Sequence, residues 1–330
     1  MNLLGATWVC RRRHRREVAI LMYHGLVTDK HPSEWTQLPV ETFERQMQYI
    51  AEHCHPVSLD EAVDYLDGKS ELPDNPVVVT FDDGYHSNYS LGHPILTKHK
   101  IPATVFVTTS LAGAETGDRR LWFDTIYALQ PVTDNGVWDL ASYGLPSLAV
   151  SSEQDRLTAV ETICSRLKEM PPETRLEKVG QLVEAFPPRQ TGDDRYYGAS
   201  WSEISGAVPL IQPGAHTINH EILSQLGTDR AREEIAGSRR IIEAETGAEV
   251  RFFAYPNGRR EDFTEETRQL VIESGYRGAV STIEGLNKQG NDLYELKRIG
   301  IGSDSSMIWF RLALAGFFDT WRALFGAARR

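Results

Sequence analysis

The chain has 330 residues, 41% hydrophobic and 25% charged, the balance of an ordinary globular protein with a sizeable core. Its formal charge of -11 argues against general nucleic-acid affinity, and no window reaches the roughly 18 apolar residues of a membrane-spanning helix. Cys10, Cys54 and Cys164, odd in number and without close spacing, argue against a cysteine-built metal site or a disulfide scaffold.

In chain order, a basic run, Arg11 to Arg16, follows a short apolar stretch, with no long apolar segment after it. That is not the pattern of a secretory signal, and a cytoplasmic location is expected. Short apolar, β-rich runs then alternate with helical stretches. Strands are expected at Val18 to Tyr23, Val77 to Phe81, Ala103 to Val107, near Leu210, and at Phe252 to Tyr255, Gly278 to Ser281 and Lys297 to Ile301. Near-continuous apolar runs suit parallel strands buried on both faces. Between them, Phe43, Met47, Ile50 and Ala51 form a helical stripe. Ser58 and Glu61 have capping-box spacing, Thr228 to Glu245 reads as a helix ended by Gly247, and Thr264 caps another that closes at Gly275.

Repeated strand-then-helix units favour a parallel sheet, doubly wound or closed into a barrel. The stretch from about 117 to 200 breaks the rhythm and reads as a mostly helical insertion. From Ser306, apolar and charged residues segregate as in an amphipathic helix. Such a helix packs on the domain or on another subunit, or it lies at a membrane interface, where the Arg-rich N-terminus would meet anionic lipid. The expected division is therefore a basic segment 1–16, a catalytic domain 17–305 and a C-terminal helix 306–330.

Two motifs carry chemistry. Val77-Val78-Val79-Thr80-Phe81 runs directly into Asp82-Asp83-Gly84, which puts two acids at the C-terminal rim of an α/β fold, where active sites are built. Further on, Gly214-Ala215-His216-Thr217-Ile218-Asn219-His220 sets two histidines four apart. On one helical turn both imidazoles would face the same way and share a metal with a carboxylate, leaving positions open for water and substrate. Of adjacent acids, one can bind the metal while the other accepts a proton from activated water. No Gly-x-Ser-x-Gly elbow or catalytic cysteine pattern competes with this reading.

Thr80-Phe81-Asp82-Asp83-Gly84 and His216-Thr217-x-x-His220 resemble the first two motifs of the polysaccharide deacetylases, carbohydrate esterase family 4. The resemblance implies a distorted (β/α) barrel of about seven parallel strands and removal of acetyl groups from N-acetylated amino sugars. It implies one divalent ion, Zn2+ foremost, with Co2+, Ni2+, Mn2+ or Fe2+ as alternatives. Asp83, His216 and His220 would be its ligands, Asp82 the base, and the backbone N–H of Tyr85 an oxyanion donor. Phe253-Ala254-Tyr255-Pro256-Asn257-Gly258 is similar to the third motif, so Tyr255, Pro256 and Asn257 are expected to line the groove. Many members carry an arginine two residues before this proline to orient the base. Here that residue is Ala254, and Arg251 and Arg298 are the candidates for the task. The late Leu-x-x-His motif is missing, whereas Leu21-Met22-Tyr23-His24 has its spacing at the end of the first strand. Some members carry this motif at the N-terminus, which makes His24 the candidate general acid.

The expected substrate is an N-acetylglucosamine-type polymer, oligosaccharide or lipid-linked precursor. An amidase or deformylase on another sugar or cyclic amide shares the same fold and metal, because specificity lives in the groove. A catalytically silent carbohydrate-binding protein would have lost a ligand or the base, and none is lost here.

Overall fold

The computed structural model describes residues 9–29, 34–113, 120–129, 136–186 and 194–325, with side chains to 322. The prolines at 187 and 188 and the arginines at 329 and 330 therefore lie outside the described residues.

Seven strands, β1 (Ala19–Tyr23), β2 (Pro76–Phe81), β3 (Ala103–Val107), β4 (Ile211–Ala215), β5 (Phe252–Ala254), β6 (Gly278–Glu284) and β7 (Leu296–Gly300), account for the apolar runs. Each pairs in parallel with its neighbour in chain order. β1 closes the ring by pairing both with β2, Ala19 opposite Val77 to Tyr23 opposite Phe81, and with β7, Leu21 opposite Ile299. The result is the expected distorted (β/α) barrel. Strand boundaries fall within a few residues of those read from the sequence. β6 runs on to Glu284 because its register against β7 shifts between Val280 and Glu284.

Side chains alternate across the barrel wall, as a two-residue period requires. Ile20, Val78, Phe106, Phe252, Val280 and Leu296 share one cluster with Leu59, Val63 and Leu66. Those last residues belong to helix α2 (Leu59–Leu66), which follows α1 (Val40–His53) and plugs the end at which the strands begin. The other parity, including Leu21, Tyr23, Val79, Phe81, Val105 and Phe253, packs outward under α1 and the remaining helices. The capping box at Ser58 and Glu61 forms in both directions, and Thr264 caps its helix through the Thr267 amide.

After β3 the chain leaves the barrel. Helices α3 (Trp122–Ala128), α4 (Glu153–Lys168) and α5 (Pro172–Ala185) enclose a separate small core around Trp138, Ile163, Leu167 and Leu182, so the insertion is mostly helical. Its link to the barrel is polar. Arg175, 1% exposed, lies over the Trp122 ring, donates to the Leu167 carbonyl at 3.2 Å and to Gln225 at 2.5 Å, and pairs with Glu221 at 3.6 Å.

The C-terminal segment forms two helices, α6 (Met307–Leu314) and α7 (Phe317–Phe325), rather than one. Phe310 and Ala313 are buried against the barrel layer, while Ile308 and Trp321 are 61% and 54% exposed. His14 of the N-terminal basic run hydrogen-bonds Thr320 at 2.8 Å, so the two ends of the described chain meet. No described helix is long and apolar enough to cross a membrane.

Candidate active site

The site forms where the strands end. Asp82 and Asp83 leave β2, His216 leaves β4, and Asn257 follows β5. Asp82 continues the inward parity of Val78 and Thr80, and its amide donates to the Tyr23 carbonyl at 2.9 Å. Gly84, at φ +81, turns the chain away directly after the two acids. Gly214 is required for a different reason: a Cβ there would come within 2.4 Å of the Phe106 ring inside the barrel.

The spacing of the two histidines was expected to reflect a helical turn, and it does not. Residues 216–220 form an irregular loop after β4, with Thr217 at φ 65 and His220 at φ 54. Two left-handed residues bring the imidazoles together instead, ring centres 4.8 Å apart. Asp83 (φ 73) and Asn257 (φ 58) share that conformation, so three strained non-glycine residues, Asp83, His220 and Asn257, line one cavity, and Thr217 lies buried behind it. Strain of about 1–3 kcal/mol at each persists only where the surroundings over-determine it, as at functional sites.

Asp83, His216 and His220 are all buried, and their candidate ligand atoms lie within 4.8 Å of one another. His220 Nε2 is 3.3 Å and His216 Nε2 3.6 Å from Asp83 Oδ1. The His216 Nδ1–H donates to the Ala254 carbonyl at 2.8 Å, which fixes the tautomer and turns Nε2 to the cavity. Burial drives both imidazoles below their ordinary pKa, so both are neutral. Neither carboxylate oxygen of Asp83 has a hydrogen-bond partner, and burial with Asp124 and Asp82 nearby drives its pKa well up. An orphaned, buried carboxylate beside two neutral imidazoles is a donor set that a divalent cation would satisfy.

Asp82 is treated in the opposite way. Burial alone would raise its pKa, but the Arg298 guanidinium holds it well below the usual carboxylate range. The pairing is bidentate, Nη1 to Oδ1 and Nη2 to Oδ2, both at 2.7 Å. Arg298 Nε donates to the Ser281 carbonyl at 2.8 Å, within the irregular stretch of β6, and Nη1 also reaches Thr80 Oγ1 at 3.2 Å. Of the two candidate orienting residues, Arg298 therefore holds Asp82. Arg251 does not, because it precedes β5 on the outward parity and pairs with Asp60 at 2.9 Å.

His24 lies at the end of β1, lines the same cavity and packs edge-on to Trp35 at 5.6 Å. Asn88 fixes its backbone by donating to the His24 carbonyl at 2.7 Å. Burial pushes its pKa down to about 4, against the pull of the Asp82 charge. The amide of Tyr85 has no acceptor among the described residues, while its hydroxyl donates to buried Asp124 at 2.8 Å.

The cavity measures about 620 Å³. Asn257 lines it, as expected. Tyr255 and Pro256 do not: Tyr255 is fully buried, stacked on Phe263 at 4.2 Å, with its hydroxyl on the Tyr294 carbonyl. The walls come from elsewhere. Trp35 and Trp309 stand on one side, and Phe123, Tyr127 and Lys168 of the insertion on another. Phe123 packs edge-on to His220 at 5.1 Å. No periodicity marks these positions, although the apolar Leu121-Trp122-Phe123 run beside Asp124 was a usable signal of a buried wall.

Fold and site together define a parallel α/β barrel with a His-His-Asp group and an ionised carboxylate at its C-terminal mouth. The family description "Polysaccharide deacetylase" matches residues 69–154 and 206–279, two segments that carry both motifs, the first of them running into the insertion. The chain belongs to the polysaccharide deacetylase family. It is 19% identical to YxkH of Bacillus subtilis, over 88% of this chain and 73% of that protein. It is 28% identical to the poly-beta-1,6-N-acetyl-D-glucosamine N-deacetylase of Staphylococcus aureus, over 46% of this chain and 54% of that enzyme. IcaB from Ammonifex degensii shares the fold, with a TM-score of 0.59 at 22% identity, over 91% of this chain and 97% of that structure.

Proposed function

We propose that this chain hydrolyses the N-acetyl amide of an amino sugar, using one divalent metal ion, Zn2+ foremost, held by Asp83, His216 and His220. The observation that carries the reading is the division of two adjacent acids. Asp83 is buried with no hydrogen-bond partner, whereas Asp82 is locked ionised by Arg298. The staphylococcal relative, an N-deacetylase of an N-acetylglucosamine polymer, supports the substrate class. When bound, the ion polarises the amide carbonyl and makes a water molecule acidic.

The chain's own residues supply the rest. Asp82 accepts the proton of the attacking water, and the fork of Arg298 keeps both its oxygens in place while this happens. Because that carboxylate is so weakly basic, it passes the proton on readily. His24 enters neutral and collects the proton, and the adjacent Asp82 charge favours the imidazolium. His24 then protonates the leaving nitrogen as the C–N bond breaks, releasing acetate and a free amine. The unused amide of Tyr85 is the donor for the oxyanion.

Dialysis against a chelator should abolish acetate release from a poly-N-acetylglucosamine oligomer, and one equivalent of Zn2+ or Co2+ should restore it. Full activity in metal-free protein would overturn the reading. His24→Ala should lower kcat by about 10²- to 10⁴-fold, the usual contribution of a general acid, with metal content unchanged. An unaltered kcat would remove His24 from the mechanism.

A further inference from the structure

The cavity around Asp82 carries two cations that the chemistry above does not use. Lys168 is the last residue of α4, and Arg259 follows the left-handed Asn257-Gly258 turn. Both line the cavity, and neither side chain makes a hydrogen bond or ion pair among the described residues. Both residues are exposed at the cavity, where partial burial sets the Lys168 ammonium below its ordinary pKa, with the Arg259 charge adding to the effect. Lys168 lines the same cavity as His24 and His220. The nearby acid, Asp262, is half-buried and already accepts the Arg259 amide at 2.9 Å. The other acids of the cavity stand elsewhere: Glu284 ends β6 and pairs with Arg322 at 2.7 Å, and Asp304 follows β7.

Lys168 is also firmly placed. Its carbonyl accepts Gln225 Nε2 at 2.6 Å, and Arg175 grips the preceding Leu167 carbonyl while pairing with Glu221, the neighbour of His220. The insertion is thus pinned beside a metal-ligand candidate, with a lysine lining the cavity. Two cations that line one cavity with no described acidic side chain paired to them leave their charge for a bound anion, which a neutral sugar polymer would not supply.

We infer that Lys168 and Arg259 form an anion-binding subsite, so that the substrate is an N-acetylated amino sugar bearing a phosphate or carboxylate beside the acetamido group. This rests on the deacetylase reading of the same cavity. Arg259 offers a planar fork that pairs bidentately with either anion, and Lys168 adds a compact point charge.

The test compares metal-loaded protein on three substrates: neutral tri-N-acetylchitotriose, N-acetylglucosamine 1-phosphate and a hyaluronan tetrasaccharide, which carries carboxylates. One anionic substrate should exceed the neutral one in kcat/KM by about ten- to a hundredfold, the range of a charge-assisted hydrogen bond. Which of the two does so identifies phosphate or carboxylate. In Lys168→Met/Arg259→Met the ratio should fall to about one, and Lys168→Arg should retain the preference. Preference for the neutral oligomer, or an unchanged ratio in the double variant, would overturn the subsite. Absence of acetate release from all three would instead defeat the deacetylase reading. Calorimetric binding of glucose 1-phosphate then still decides the subsite: about tenfold or greater weakening in the double variant supports it, and equal affinity overturns it.

Discussion

Replacing Arg298 with methionine should destabilise the protein by about 3–5 kcal/mol and remove nearly all turnover, because it leaves a buried carboxylate without its counterion. Arg298 is fully buried and spends its donors on Asp82, Ser281 and Thr80 inside the barrel. Without the guanidinium, the burial that already opposes the charge on Asp82 is no longer offset. The carboxyl would then stay protonated well above its usual range and could not accept a proton. Lysine should rescue little, since it cannot reproduce the two parallel bonds. The double variant Arg298→Met/Asp82→Leu should recover much of the stability but none of the activity, as buried pairs replaced together often do. Urea denaturation of the three variants measures this. A loss below about 1 kcal/mol in Arg298→Met would show that the pair is not the lock described here.

The pH dependence of that loss has a definite sign. In the native protein the folded-state pKa of Asp82 lies below its unfolded value, so its contribution is complete above about pH 4 and fades only in stronger acid. In Arg298→Met the folded-state pKa would lie above the unfolded value, and the destabilisation grows as pH rises between the two. The stability gap between native and variant protein should therefore narrow on acidification towards pH 4.

The barrel was legible because β2, β3 and the other wall strands are bounded apolar runs, and because Ser58-Glu61 and Thr264 announce helix starts with their own side chains. The acids and histidines were legible as residue types at strand ends. The local geometry of His216 and His220 was not. A spacing of four fits a helical turn, and it fits equally a loop with two left-handed residues, a conformation that is rare for threonine. The rivalry of Arg251 and Arg298 could be settled by strand parity, since Arg298 shares the inward parity of Leu296 and Arg251 the outward parity of Phe253. Tyr255 misleads for a related reason: it too lies on the outward parity and fills the core under the helices. The walls of the cavity are the least legible part. Trp35, Phe123, Lys168 and Trp309 come from four separate segments, and only tertiary packing brings them to one rim.

Asp82→Asn should lower kcat by about 10²- to 10⁴-fold, the usual contribution of a general base, while leaving one metal ion bound per chain. The amide keeps the shape of the carboxylate and can still accept one bond from Arg298, but it cannot take a proton from water. Arg298 then becomes a buried cation facing a neutral group, so a measurable loss of stability should accompany the loss of rate. Asp83→Asn, one residue on, should behave differently. It removes the only carboxylate of the His-His-Asp group, so metal content and activity should fall together. Measuring bound metal and single-turnover rate on both variants separates the two roles. If Asp82→Asn also lost its metal, or kept its rate, the division of labour between these adjacent acids would be wrong. Their different surroundings argue that it is not: the two carboxylates leave the same strand, yet one is locked by an arginine and the other is left with no hydrogen-bond partner.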